Sequence, residues 1–134
     1  MQGTMRAEHD ALRTMVREFA EFLNGPLPQD MADASKRRLE FSRLFRSHIV
    51  AERDYARACL QYADKSVHAL MEEYSRAFHA LYFDYSRHIQ HWGLDRVRED
   101  WRGYGKAVGE LRERFLKLMD WEDAEILPAL AVTE

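Results

Sequence analysis

Histidines and carboxylates at helical spacing are the residues of this chain that could do chemistry. His48 and Glu52 lie four apart, so a helix carries both on one face. They belong to the run Phe41, Leu44, His48, Glu52, Tyr55, Cys59 and Tyr62, whose steps of three and four mark a core-facing stripe. An imidazole and a carboxylate therefore stand where a helix normally places Leu or Phe. A buried carboxylate is costly unless it is paired, hydrogen-bonded or bound to a cation. His9 holds a similar place in the stripe Met5, His9, Leu12, Val16, Phe19, Leu23. Glu122 does so in the stripe Val97, Trp101, Tyr104, Val108, Leu111, Phe115, Leu118, Glu122, Glu125, of which Glu125 reads as solvated helix end. His68 lies at the edge of a further apolar face. Neutral imidazole and carboxylate oxygen together suit iron, manganese or zinc. The plainer alternative is a buried His48–Glu52 hydrogen-bonded pair with no ion.

Four helices must position these groups. The first is predicted over residues 5–23, with Thr4 as its cap and Asn24-Gly25-Pro26-Leu27-Pro28 as its stop. The second spans 31–62, capped by Asp30 or Asp33. A turn at Ala63-Asp64-Lys65-Ser66 leads into the third, 67–91, with Asp64 or Ser66 as its cap. Trp92-Gly93-Leu94-Asp95 reads as a glycine stop followed by an aspartate cap. The fourth spans 96–127 and ends at Pro128. Gly105 and Gly109 fall near its inner face, where close helix approach is expected, although glycine inside a helix costs on the order of 1 kcal/mol. Four amphipathic helices with short connections imply an all-α, up-down-up-down four-helix bundle. In that arrangement His9, His48, Glu52, His68 and Glu122 fall within about two turns of one another along the axis. Bundle cores that bear Glu and His at helical spacing are a recurrent home for carboxylate metal centres.

Composition bounds the rest. A chain of 134 residues with 46% hydrophobic and 32% charged residues is expected to form one soluble domain over 1–134. Its net charge of −3, with arginines matched by acids along the same helices, leaves no nucleic-acid footprint. One cysteine excludes an intrachain disulfide and fits a reducing compartment. No apolar signal region or membrane-crossing run is present, so a cytoplasmic location is expected. Cys59 reads as a small buried hydrophobe.

The halves of the chain echo one another. Phe45, His48 and Glu52 match Phe115, Leu118 and Glu122 by spacing; His9, Leu12, Met15 and Phe19 match His68, Met71, Tyr74 and Phe78. His68 is then the counterpart of His9, and Leu118 stands where a second histidine is expected.

Three pieces in order also carry a family likeness: Glu8-His9-Asp10-Ala11-Leu12 near the start, His48 with Glu52 in the second helix, and Glu122-Asp123-Ala124-Glu125-Ile126-Leu127-Pro128 at the end of the fourth. With the helix lengths, they make nearly the whole chain resemble the hemerythrin-like family, the HHE cation-binding domains. The resemblance implies one metal held by His9 and His48, with Glu52 and Glu122 as carboxylates that bridge to a second metal. The family's second metal takes two histidines from the third helix and one from the fourth. This chain departs there: Leu118 occupies the fourth-helix position, and Glu72 rather than histidine follows His68 by four. His68 and Glu72 could hold a second ion weakly if the third helix were rotated to bring them in. The resemblance therefore implies a divergent member with a mononuclear or asymmetric non-haem iron site, acting in sensing or handling of dioxygen, nitric oxide or the metal itself. No nucleophile or general-acid constellation stands out, so no reaction is assigned. The competing expectation is a metal-free relative that works as a helical interaction module, with a protein partner or a second copy of itself.

Overall fold

The computed structural model describes residues 2–132, which are helical apart from short connections, with no strand among them. Helix α1 covers Gln2–Asn24, α2 Ala32–Leu60, α3 Lys65–His91, α4 Leu94–Glu99 and α5 Trp101–Trp121. A π-helical turn, Glu122–Ile126, links α5 to the short α6, Leu127–Ala131. None of these helices is long and apolar enough to cross a membrane.

Each long helix forms where apolar residues recur at helical spacing, and each buries that stripe. α1 packs on α2 and α5, while α3 packs on α5 and the π turn. Three apolar clusters follow one another through the interior. One holds Met5, Tyr55, Cys59, Tyr74, Ile126, Leu127 and Leu130. The middle one holds Leu12, Phe45, Leu81, Phe115 and Met119. The last holds Leu23, Met31, Ala34, Trp92, Val97 and Tyr104. Burial of one such large side chain contributes about 1.5–3 kcal/mol.

The ends show where side-chain chemistry overrides periodicity. Thr4 lies inside α1 rather than at its cap. Asp30 accepts the Ala32 N–H at 2.9 Å, while Asp33 sits in the first turn of α2. Of the two predicted caps of α3, Asp64 and Ser66, it is Asp64 that accepts the Val67 N–H, at 3.1 Å. Tyr62 falls beyond the end of α2 and is 80% exposed, so the stripe stops at Cys59. The predicted fourth helix is interrupted. Gly93, not Asp95, stands at the start of α4, and the chain breaks again at Asp100. The Asp100 carboxylate folds back to accept the Gly103 N–H at 2.9 Å, and a Cβ at Gly103 would collide with it. Close helix approach does not explain the other two glycines: a Cβ at Gly105 would make ordinary contact with Leu23 at 3.8 Å, and one at Gly109 would meet nothing within 4 Å. Pro128 does not end the chain's helical course either. The π turn before it places the proline in the first turn of α6, where its missing N–H leaves no gap.

Candidate metal centre

The middle apolar cluster and the one built on Met5 and Leu127 enclose a polar layer. On α1 the order is Met5, His9, Leu12; on α2 it is Phe45, His48, Glu52, Tyr55; from α5 into the π turn it is Met119, Glu122, Ile126. His9, Glu122 and the adjacent pair His48 and Glu52 thus each lie between two apolar residues of their own stripe. His9 is 0% exposed and Glu122 is 2% exposed; His48 is also buried and Glu52 nearly so.

One ligand atom from each of His9, His48, Glu52 and Glu122 lies within 4.8 Å of all the others. His9 Nε2 is 3.0 Å from His48 Nε2, 3.2 Å from Glu122 Oε1 and 3.7 Å from Glu52 Oε2. His48 Nε2 is 2.7 Å from Glu52 Oε2. Both imidazoles present the same nitrogen to one point and are held from behind by the other. His9 Nδ1 meets Asp123 Oδ1 at 2.7 Å, and His48 Nδ1 meets Glu8 Oε2 at 3.0 Å. Arg13 fixes Asp123 in turn, donating to Oδ2 at 2.7 Å. Tyr74 donates its hydroxyl to Glu52 Oε1 at 2.9 Å. The π turn contributes directly, because it begins at Glu122. It sets the consecutive carboxylates of Glu122 and Asp123 against the two nitrogens of one ring. Such turns are frequent at functional sites.

Two observations fit a cation. Glu52 Oε2 and Glu122 Oε2 are buried with no hydrogen-bond partner, even though the former lies 2.7 Å from His48 Nε2; that contact is ionic but not aligned as a hydrogen bond. Buried polar atoms of this kind are rare in native structures and call for an explanation such as an ion. The second is the pair of carboxylates behind the imidazoles, since metal-ligating histidines almost always donate their other ring N–H to such a group. With neutral rings the four residues carry two negative charges, matching a divalent ion.

The electrostatics give the same picture. Burial alone would lower the pKa of His9, but Glu122, Glu52 and Asp123 outweigh it and hold the ring at about 10. Burial likewise pulls His48 down, and Glu52 more than reverses it. Burial would raise Glu52, yet His48 and His9 keep it well below the ordinary carboxylate range. Glu122 is pushed up to about 8 by burial, with His9 opposing the push and Glu52 adding to it. Without a cation, neutral pH therefore leaves His9 and Glu122 protonated, and protons stand where positive charge is needed.

The sequence-predicted residues separate cleanly. His9, His48, Glu52 and Glu122 come together. His68 is exposed near the start of α3 and lies outside the group, as does the exposed Glu72. The repeat thus pairs His9 with a residue in a different environment. Glu125 is exposed, as expected of a helix end. Leu118 packs against both neighbouring apolar clusters. Among the described residues no second group of three or more metal-ligating side chains is found. Glu8 and Asp123 carry no separate role in the sequence reading and Tyr74 only that of an apolar-face residue, yet they hold His48, His9 and Glu52 in place. The signal was present: an acid beside each buried histidine or its partner, and the need of every ligating imidazole for a second partner. Beside the carboxylates a cleft of about 510 Å³ opens between α2, α3 and the π turn, lined by Glu52, Glu122, Tyr74, Phe78, Met71 and Leu60 among others. No family model matches the chain, and no curated protein or solved structure matches it either.

Proposed function

We propose that the protein is a hemerythrin-like metal-binding protein, an up-down-up-down four-helix bundle that holds one ion between His9, His48, Glu52 and Glu122. The observation that carries the reading is the convergence of two buried imidazoles and two buried carboxylates, each imidazole held from behind by a further carboxylate. Iron is the metal the family likeness favours; manganese and zinc suit the same donors. A single ion is favoured over two because Leu118 belongs to the apolar core and His68 and Glu72 face solvent.

Bound iron would supply a redox-active centre with room for an exogenous ligand. The chain's own part is to fix the imidazoles through Glu8 and Asp123, to hold Glu52 through Tyr74, and to wall the site with apolar side chains. The cleft against Glu52 and Glu122 gives dioxygen or nitric oxide a route from solvent. Sensing or handling of such a small molecule, or of the metal, is the role this arrangement supports best. The test is metal analysis of protein purified without chelator, followed by anaerobic addition of nitric oxide to the ferrous protein. Wild type is expected to carry iron and to change its visible absorption with nitric oxide, and His48→Ala to do neither. Equally little metal in both proteins would favour the metal-free interaction module instead.

A further inference from the structure

A second cavity lies away from the metal centre, between the four long helices and open to solvent on one side. It has a volume of about 170 Å³. Its walls include Val16 and Phe19 from α1, Phe41 and Phe45 from α2, and Val108 and Phe115 from α5. Nothing in the metal-binding account uses this space. A dry apolar cavity of about 150 Å³ is large enough for one benzene ring, so this one takes a single ring with a small substituent.

One side of the cavity is polar. Arg38 lines it, and its guanidinium lies 5.7 Å from the centre of the Tyr104 ring. His88 stacks on the same tyrosine, with ring centres 5.7 Å apart. Tyr85 also lines the cavity, its hydroxyl 2.7 Å from Ser42 Oγ. Arg38 is half-buried, and no carboxylate lies in ion-pair range of it among the described residues. The neighbouring arginine differs: Arg37 is within 3.5 Å of Asp33 and faces the Phe22 ring. Burial, Arg38 and His91 depress the pKa of His88 to about 4, so it is a neutral ring at pH 7. The other charges on the lining are Glu18, Glu40 and Arg112. Both acids are exposed, where water and salt screen them, and Glu40 is near Lys36 at 3.9 Å. Arg112 is half-buried like Arg38, so positive charge dominates the interior, and of the two it is Arg38 that lies against the Tyr104 ring.

We propose that this cavity is a binding site for a small aromatic monoanion, with its ring among Phe19, Phe41, Phe45 and Phe115 and its carboxylate on Arg38. Apolar walls with one well-placed charged group are the usual make-up of a small-molecule site. A planar guanidinium is the side chain best shaped to take a carboxylate by two parallel hydrogen bonds. The site is independent of the metal, since none of its lining residues is a ligand of the candidate centre.

The experiment is calorimetric or NMR titration of the full chain with benzoate and with uncharged benzyl alcohol. Benzoate is expected to bind at least tenfold more tightly than the alcohol. Arg38→Gln should weaken benzoate by about tenfold or more and leave the alcohol unchanged, the loss expected for a charge-assisted hydrogen bond. Val108→Trp, which fills the cavity from its wall, should abolish binding of both; circular dichroism verifies that each variant is folded. Equal affinity of benzoate for wild type and Arg38→Gln would overturn the proposal. So would absence of benzoate binding to the wild type, or binding that persists in folded Val108→Trp.

Discussion

Metal binding at this centre should displace protons, and the number follows from the structure. Consider metal-free protein titrated with ferrous ion or zinc between pH 6 and 7. The cation needs neutral imidazoles and ionised carboxylates. His9, held at about 10, is fully protonated throughout this range. Glu122, at about 8, is roughly nine-tenths protonated one unit below that value. His48 is raised by Glu52 and acts in the same direction, whereas Glu52 is already ionised. About two protons, from His9 and Glu122, must therefore leave as the ion enters. Each displaced proton makes affinity about tenfold stronger per unit rise in pH, equivalent to about 1.4 kcal/mol. Affinity should thus rise about 100-fold from pH 6 to pH 7. Competition with a chromophoric chelator at several pH values measures this slope, and calorimetry in buffers of different ionisation enthalpy counts the protons directly. An ordinary surface site built on unperturbed carboxylates would release almost none. A rise of tenfold or less would refute the claim that these four groups hold each other's protons in place of a cation.

Three other outcomes follow. Asp123→Ala removes the partner of His9 Nδ1 without touching a ligand, and should weaken metal binding about 10- to 100-fold in the same chelator competition while the far-UV spectrum stays helical. Leu118→His restores the histidine expected from the repeat, but places it in the apolar core while His68 stays at the surface; it should cost about 1–3 kcal/mol in urea unfolding and leave metal stoichiometry at one. In chelator, thermal stability should be level between about pH 4.5 and 6.5, where Glu122 and His88 act oppositely, and fall toward pH 9. The folded pKa of His9, about 10, lies above its unfolded value, so its contribution is full below about 6.5 and is lost as pH rises toward 10. Glu122, raised to about 8, acts in the same direction between about 4.5 and 8. His88, lowered to about 4, acts oppositely: its contribution is complete above about 6.5 and lost as pH falls toward 4. A melting temperature that rises from pH 6 to pH 9 in chelator would contradict the assignment.

The four converging residues were legible because periodicity alone places them. His9, His48 and Glu122 interrupt apolar stripes, and a stripe defines which face of a helix is buried. The cap of α3 was legible to within two residues, Asp64 or Ser66, and the structure selects Asp64. His68 misled because a repeat in spacing does not fix how far a helix is rotated about its axis. That rotation is set by packing, here by Tyr74 and Leu81, which turn the His68 edge of α3 to solvent. The carboxylates behind the imidazoles escaped because they lie off the stripes; Glu8 and Asp123 reach the site from the flank. The breaks near Asp100 and Glu122 were hidden by an unbroken apolar pattern. A capping carboxylate in one case and a π turn in the other reset the backbone without disturbing which residues face inward.

The central claim is that one ion sits between two imidazoles and two carboxylates. X-ray absorption spectroscopy of the iron-loaded protein, with iron quantified per chain, tests it most directly. The account predicts one iron per chain, scattering from two imidazole rings, remaining ligands of oxygen, and no second metal nearby. An iron environment without imidazole scattering, or one with a metal–metal vector, would contradict it.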